Sequence, residues 1–494
     1  MGKQMVLAQY TIRSKQDYIF RTNRINEIVG ASKLIAEVWD DLFRIASENG
    51  IRVSRESAGK FVLDVNSEIA GETVIELFCG GGNLTVLYDD RKTYTKLNKL
   101  FSFYVMKERP GMIPMAVCTD VTGDYRKDYA SLMAESEIEK NRMNPARDSF
   151  ILPFSKMDRN TFIPVAGEKF NFSANTEMSY ACAVKAKRGT ELRDDNVKML
   201  DDMITKKGQE SLLAVIHADG NNMGKKIMSF LGDDSDYASC VGKMREFTSK
   251  TARAFADNGK TALAKCRNTL MEKYKKFPER SFAYREIVAD GDDFTFICNA
   301  RFAMEYTRAY LEEVDKFVEC DWKYSSCAGI CIFHSHYPFA KAYSLAEQAC
   351  DDGAKKMVHV GGDESPEECW VDFHYIHSGI GGDLSVIRKM QRTENVMARP
   401  WLVAGRASNP RKLDNLDLLY KELKNNNVTR TVIKEIGQAW ESSKPAGRQV
   451  YARMIGCKTD IKENLEKIVG GNVDDLLKAL YDLSEVIDLW YEEV

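Results

Sequence analysis

Three aspartates surround one glycine in the stretch IVADGDDFTFIC, residues 287 to 298. Asp290, Asp292 and Asp293 stand beside Gly291, and apolar, β-prone residues flank them on both sides. An Asp-Gly turn between two strands explains the turn but not the extra carboxylates. The stretch is therefore either a highly charged hairpin or half of a metal site.

A further carboxylate ends an apolar run in SLLAVIHADG, where Asp219 precedes a glycine. In an antiparallel sheet this strand and the hairpin can lie side by side, which would bring Asp219, Asp292 and Asp293 to one edge. Like charges so close are unfavourable unless cations neutralise them. Mg²⁺ prefers such hard oxygen ligands and leaves room for phosphate oxygens. Two such ions could activate a hydroxyl and stabilise a pyrophosphate leaving group. We therefore expect Asp219, Asp292 and Asp293 to bind Mg²⁺ or Mn²⁺, with two ions in the site.

Residues near these aspartates fit phosphate binding. Glycines and asparagines open the helix after Asp219, so backbone N–H groups could face a triphosphate, and the glycines would let that backbone approach closely. Two lysines end the helix that begins near Pro338, and either could reach a phosphate as a point charge. Each feature also has a plainer interpretation. The glycines after Asp219 could form only a turn, and the lysines could only complement the dipole at the C-terminal end of their helix. The candidate nucleotide-binding residues are Gly220, Asn221, Asn222, Gly224, Gly291, Lys355 and Lys356.

One histidine directly precedes the Asp-Gly pair. His217 would orient Asp219, or it is a half-buried strand histidine with a backbone partner, and the second interpretation is the more common for such residues.

The elements around these residues occur twice in one order: strand, helix, hairpin, helix, strand. The first copy begins near residue 5 and the second spans residues 211 to 375. The first hairpin has Gly82 and Asn83 where the second has Asp292 and Asp293, and its first strand has no aspartate at the position of Asp219. The second copy therefore carries the chemistry. Long helical patterns follow from residue 383 onward.

Composition narrows the class of protein. The 494 residues carry a formal net charge of −3, which argues against a wholesale nucleic-acid coat but leaves room for a local basic groove. We find no apolar run long enough for a membrane helix and no signal peptide, so we expect a cytoplasmic protein with no membrane association. The 12 cysteines include no CxxC pair, which favours reduced core thiols and predicts no zinc.

Several motifs resemble the palm domains of Cas10, the large subunit of type III CRISPR effectors, called Cmr2 or Csm1 in its subtypes and related to GGDEF cyclases. DGDDF is similar to the family's GGDD signature, with Asp290 at the first glycine, and HADGNNMG is similar to its first palm motif. MARPW is similar to the stretch that opens its C-terminal domain. The resemblance implies an α+β fold with two ferredoxin-like palm domains and an all-helical C-terminal domain. The expected boundaries are 1–185 for the first palm, 186–380 for the catalytic palm and 381–494 for the helical domain.

The resemblance also implies an activity. Such a subunit synthesises an oligoadenylate-type second messenger, cyclic or short and linear, from ATP in antiviral defence. It works with other type III subunits, guide RNA and target RNA. By the same resemblance Asp219, Asp292 and Asp293 hold the metals, and Lys355 or Lys356 contacts phosphate. An N-terminal HD nuclease domain and an inter-palm cysteine cluster have no counterpart here, so we expect neither DNA cleavage nor structural zinc. The alternative is a catalytically silent palm scaffold that binds nucleotide or RNA–protein partners.

Overall fold

A computed structural model gives the fold of the chain. It describes the following residues: 4–22, 24–55, 71–80, 82–142, 154–159, 161–165, 177–191, 203–205, 211–319, 322–358, 367–377, 381–391, 395–405, 409–456 and 459–491. None of the helices within these ranges is both long and apolar enough to span a bilayer.

The strands are short and mostly buried, as expected of sheet interiors. In chain order they are β1 Val6–Arg13, β2 Arg52–Ser54, β3 Thr73–Gly80, β4 Asn83–Tyr88, β5 Ile113–Asp120, β6 Leu212–Gly220, β7 Tyr284–Asp290, β8 Asp293–Asn299, β9 Val318–Glu319, β10 Trp322–Lys323, β11 Ser326–His334, β12 Cys369–Tyr375 and β13 Trp401–Ala404.

The helices are interleaved with these strands along the chain. They are α1 Lys15–Phe20, α2 Ile25–Glu48, α3 Arg91–Glu108, α4 Tyr125–Arg142, α5 Tyr180–Glu191, α6 Met223–Leu231, α7 Tyr237–Ala252, α8 Asn258–Lys273, α9 Ala303–Lys316, α10 Phe339–Gln348, α11 Lys355–Val358, α12 Leu384–Met390, α13 Leu413–Asn425, α14 Arg430–Ser442, α15 Lys444–Tyr451, α16 Thr459–Ile468 and α17 Val473–Trp490. Turns of π-helix lie at Arg253–Asp257, Ala349–Ala354 and Ala452–Gly456.

Two mixed sheets confirm the predicted duplication. The first has the strand order β2-β3-β4-β1-β5, and the second has the order β13-β12-β11-β6-β8-β7. Each copy therefore places its first strand between the second hairpin strand and the later strand, as β4-β1-β5 and β8-β6-β11. The predicted α+β class with palm-like domains is confirmed.

The chain divides into two compact units that alternate along the sequence. The first comprises Met1–Lys198, Asn222–Ala256 and Ile287–Asp292, and the second comprises Met199–Asn221, Asp257–Glu286 and Asp293–Val494. In the first unit, α6 and α7 pack on the first sheet, since Leu231, Val241 and Met244 share a core cluster with Leu77 and Leu87. The boundaries expected at residues 185 and 380 remain a prediction.

The segment after residue 381 differs from an all-helical domain in one respect. Strand β13 pairs antiparallel with β12 at the edge of the second sheet, where Val371 faces Trp401. The indole N–H of Trp401 donates to Asp482 Oδ2 of α17 at 3.0 Å, so the strand is anchored on both sides. Four residues between helical patterns are too few to reveal a strand by periodicity.

Candidate active site

Strand pairing brings two of the predicted aspartates together. Strands β6 and β8 are antiparallel, with His217 opposite Thr295 and Ala218 opposite Phe294. Extending this register by one residue puts Asp219 opposite Asp293. Directly opposite residues in an antiparallel pair point to the same face, with Cβ atoms about 5 Å apart. The two carboxylates therefore share one face at the end of the central strand.

The first copy has the same register without the charges. There Thr11 of β1 faces Asn83 of β4, and two residues earlier Gln9 faces Thr85. Asn83 precedes Leu84 and Thr85 as Asp293 precedes Phe294 and Thr295. The positions of Asp219 and Asp293 are therefore filled by Thr11 and Asn83 in the first copy, and the acidic pair belongs to the second.

Lys355 supplies the positive charge of this face. Its Nζ forms a short ion pair with Asp219 Oδ2 and lies 3.2 Å from Asp351 Oδ1, one helical turn earlier. Burial alone would lower the pKa of Lys355, but the charge of Asp219 outweighs it and raises the pKa above its ordinary value. The ammonium group therefore stays protonated across the physiological range.

A close helix–strand approach positions this lysine. Gly329 of β11 lies against the backbone of α10 and the π-helical turn that follows it. A Cβ atom at this position would lie 1.9 Å from Ala346 O and 2.5 Å from Cys350 N. The π-turn Ala349–Ala354 then leads into α11, whose first residue is Lys355. Single π-turns of this kind are frequent at functional sites.

His217 contacts the second aspartate of the pair. It is 4% exposed, and its Nδ1 lies 3.1 Å from Thr295 Oγ1 and 3.5 Å from Asp293 Oδ1. Burial lowers the pKa of His217, and the negative charge of Asp219 offsets only part of this. A neutral imidazole therefore stands beside Asp293, and its partners are side chains where we expected a backbone group.

The asparagines after Asp219 have different roles. Asn221 is buried, its backbone N–H donates to Ser325 O at 3.0 Å, and its Nδ2 donates to Ser325 Oγ at 2.9 Å and to Glu368 O at 3.0 Å. Both groups are thus committed to holding the end of β6 rather than facing a phosphate. Asn222 caps α6 in the left-handed region, with φ 56° and no side-chain capping bond.

The glycines at the predicted site have distinct environments. Gly220 is the last residue of β6 and faces Ser326 of β11. A Cβ at Gly224 would meet no atom within 4 Å, so the first turn of α6 is open there. Gly291 has φ +67°, a conformation that glycine adopts without strain and that the turn between β7 and β8 requires.

The remaining predicted residues are Lys356 in α11 and Asp292 in the hairpin turn. Lys356 pairs with Asp352 at 3.1 Å, and its side chain is 66% exposed. Asp292 lies in the hairpin turn directly before Asp293. Within the first unit, Asp290 Oδ2 and Lys15 Nζ both lie against Gly82, at 3.0 Å and 2.0 Å from where a Cβ would stand.

The chemistry of the carboxylate pair suits a divalent cation. Asp219 and Asp293 offer hard oxygen ligands, and Mg²⁺ is usually held by one or two carboxylates together with substrate phosphates. Among the residues that the structure describes, no group of three or more His, Cys, Asp or Glu is placed to hold a metal ion. Asp219 and Asp293 thus fit a metal–nucleotide site, and the full three-aspartate ligand set remains a prediction.

Two contacts of this site were missed in the sequence. Thr295 Oγ1 lies 3.4 Å from Asp293 Oδ1 as well as beside His217, and Asp351 pairs with Lys355. The two-residue spacing from Asp293 places Thr295 on the same strand face, and the four-residue spacing places Asp351 beside Lys355 on a helix. Both signals were therefore present in the sequence.

Comparisons with known proteins bear on the domain type and the fold. Residues 212–360 match the sequence model described as Cas10/Cmr2, second palm domain. No curated protein matches the chain. A crystal structure of a Csm1–Csm4 cassette in complex with cA4 is similar over 98% of this chain and 70% of that chain, at 12% identity and a TM-score of 0.50.

Other solved structures align over similar lengths. A Csm1–Csm4 cassette in complex with one ATP covers 97% of this chain and 70% of that chain, at 12% identity and a TM-score of 0.47. Csm1 in T.onnurineus covers 97% and 69%, at 14% identity and a TM-score of 0.45. Because the identities are low, the first structure shows the fold alone, and the sequence match of residues 212–360 indicates the type of domain. Residues 212–360 therefore match the second palm domain of Cas10/Cmr2.

Proposed function

We propose that the chain is a metal-dependent nucleotidyltransferase that joins ATP-derived nucleotides into an oligoadenylate-type second messenger, cyclic or short and linear, in antiviral CRISPR defence. The observation that carries this proposal is the acidic pair Asp219 and Asp293 beside Lys355, on a face where the first copy has Thr11 and Asn83. If the protein has a single catalytic centre, we expect the acidic pair in one copy of the duplicated fold and uncharged residues at the same positions of the other copy.

The chain's own residues would bind and orient the substrates. Asp219 and Asp293, with Asp292 beside them, would hold Mg²⁺ or Mn²⁺, which lowers the pKa of a bound hydroxyl and stabilises phosphate charge. Lys355 would exchange its contact with Asp219 for a phosphate oxygen. The neutral imidazole of His217 would keep Asp293 in place. One ATP hydroxyl would attack the α-phosphorus of a second ATP, and pyrophosphate would leave, so no side-chain nucleophile is needed.

Partners follow from the same likeness. One similar solved structure is a Csm1–Csm4 cassette in complex with cA4, so we propose a Csm4-like subunit as neighbour in a type III complex, with ATP as the substrate of the proposed reaction. Guide RNA and target RNA would belong to the same assembly.

A second candidate is a catalytically silent palm scaffold. Lys355 already neutralises Asp219, and the described ranges contain no three-residue metal group. On this view the palm pair would bind nucleotide or RNA–protein partners without turnover.

The experiment that separates these functions uses the purified chain with labelled ATP and Mg²⁺ or Mn²⁺. Products are separated by chromatography and identified by mass. The enzyme hypothesis predicts pyrophosphate and an adenylate-linked product, lost on chelation and restored by added metal. In Asp219→Asn/Asp293→Asn, which preserves side-chain size, we expect at least a hundredfold loss of product and weaker Mn²⁺ binding by calorimetry.

Asp352→Asn is the matched control, because within the described ranges the ion-pair partner of this carboxylate is the exposed Lys356. We expect this variant to keep product formation within about twofold of wild type. If the isolated chain is silent, the assay is repeated in a complex with partner subunits, guide RNA and target RNA. ATP binding without any product in that complex would overturn the enzyme hypothesis and favour the scaffold.

A further inference from the structure

The second unit contains a wide groove. Its lining residues do not include Asp219 or Asp293. It lies where the C-terminal end of α8 meets α9, α13 and the end of α17, and it encloses about 1120 Å³. Small-molecule sites usually occupy about 300–1,000 Å³. The groove is therefore large enough for an extended polymer segment.

The groove is basic although the whole chain is slightly acidic. Seven of its lining residues are Lys or Arg and three are Glu or Asp, while the formal net charge of the chain is −3. Two of the cations are paired, since Arg308 donates to Asp417 Oδ2 at 2.7 Å and Lys273 Nζ lies 3.9 Å from Glu305 Oε1. Lys275, Lys276 and Lys421 are exposed and form no ion pair with any carboxylate in the described ranges. The excess positive charge thus faces solvent and suits a polyanion.

Aromatic residues line the same groove and stand next to several of these cations in the sequence. Tyr274, Tyr420, Trp490 and Tyr491 line the groove and are half-buried. The Tyr420 hydroxyl donates to Tyr491 O at 2.7 Å, and the Tyr491 hydroxyl donates to Asp417 Oδ1 at 2.7 Å. The hydroxyls are therefore used within the protein. The rings of Tyr420 and Tyr491 lie 4.6 Å apart with an interplanar angle of 33°, which forms a small platform.

Exposed lysines beside aromatic platforms are what single-stranded nucleic acid requires. The lysines neutralise phosphates, and ring faces stack on bases without regard to sequence. An acidic peptide would use the lysines but has no general need for the ring faces. We propose that this groove binds a short stretch of single-stranded nucleic acid. The proposal does not depend on catalysis at Asp219 and Asp293.

The test measures fluorescence anisotropy of labelled ten-nucleotide uridine and thymidine oligomers with the full chain at 50 to 200 mM salt. We expect Lys275→Glu/Lys421→Glu to weaken binding at least tenfold. The slope of log affinity against log salt should fall by about 1.4, since each phosphate contact on a single strand contributes about 0.7. The two oligomers show whether the groove prefers RNA or DNA, and binding of either supports the proposal.

Two controls separate the groove from general charge and from misfolding. Lys127→Glu/Lys467→Glu makes the same charge change at side chains that are 79% and 74% exposed, and it should retain affinity within about twofold. Tyr420→Leu should weaken binding about tenfold, because it removes a stacking ring. Tyr420→Phe keeps the ring and should bind as wild type does.

Three results would overturn the proposal. They are no oligomer binding at 50 mM salt, equal losses in the groove and control lysine variants, and equal competition by a ten-residue polyglutamate peptide. The last result would assign the groove to an acidic protein partner instead.

Discussion

Among single residues, Asp219 is the carboxylate of the candidate site that pairs with a half-buried positive charge. Its carboxylate pairs with Lys355 and, by extension of the β6–β8 register, falls opposite Asp293, which contacts the buried His217. Without Lys355, two carboxylates on neighbouring strands would repel each other. The lysine thus stabilises the site in the absence of metal, and the proposed function gives it phosphate as a second partner.

Lys355→Met tests this double role. Charge-assisted hydrogen bonds contribute about 1.5–3 kcal/mol, so we expect kcat/KM for ATP to fall about 10- to 150-fold. Mn²⁺ affinity should stay equal or increase, since Asp219 loses its competing cation. Steady-state kinetics and calorimetry measure the two quantities.

Lys356→Met is the paired control, because Lys356 is exposed and contacts Asp352. We expect its kcat/KM to remain within about threefold of wild type. Equal losses in both variants would mean that Lys355 has no special contact with substrate.

The packing of strand β11, helix α10 and the π-turn after it positions Lys355. Strand β11 is buried along nearly its whole length, and α10 lies directly on it at Gly329. The π-turn after α10 then shifts the helix register before Lys355. A change at Gly329 therefore acts on the site through the helix, at a distance from the carboxylates.

Gly329→Ala should force α10 away from the sheet. A Cβ at 1.9 Å from Ala346 O cannot be accommodated by a side-chain rotation, because the obstacle is backbone. Overpacking of this kind costs about 1–3 kcal/mol, so we expect the free energy of unfolding in urea to fall by that amount and product formation to fall with it.

Gly381→Ala serves as the comparison, since the nearest atom to its Cβ would be Lys341 Nζ at 4.0 Å. It should leave both stability and product formation unchanged. Unchanged stability in Gly329→Ala would show that α10 does not lie as close to β11 as described.

A buried cluster of charges surrounds a histidine that links the stability of the molecule to pH. Asp372 accepts from Arg388 at 2.8 Å, and Arg399 pairs with Glu485. His374 lies beside this cluster, where burial, and then the charges of Arg399 and Arg388, lower its pKa to about 3. The folded protein therefore holds this imidazole neutral, while the unfolded chain binds a proton near pH 6.5.

Acid should therefore destabilise the protein through His374. Because the unfolded chain takes up the proton first, stability is full above pH 6.5 and is lost as pH falls from 6.5 towards 3. The loss from this one group amounts to a few kcal/mol, about 1.4 kcal/mol for each pH unit below 6.5. Urea unfolding between pH 7 and pH 4 measures the effect. The free energy of unfolding of His374→Gln should fall less steeply with decreasing pH than that of wild type.

His336→Gln is the control, because His336 is exposed. It should reproduce the wild-type pH profile. Identical slopes in wild type and His374→Gln would exclude His374 as a source of acid sensitivity.

Local patterns in the sequence determined the architecture and which strands carry the candidate aspartates. Alternating apolar residues and an Asp-Gly turn predict β7 and β8, and the same pattern around Gly82 predicts β3 and β4. The order of elements in each copy follows from these local signals, because strand and helix periods are set by near neighbours. The pairing of Asp219 with the DGDD hairpin also follows, since register in a buried sheet is strongly specified.

Tertiary structure decided what depends on residues far apart in the chain. Lys355 rather than Lys356 meets Asp219 on the helix that follows a π-turn, and His217 meets Thr295 because two strands pair. The packing of α6 and α7 on the first sheet and the addition of β13 to the second have no local signal. The basic groove likewise joins four distant segments whose charges look unremarkable in sequence. Turn chemistry and periodicity are local properties, whereas the choice of partners is a property of the packed molecule.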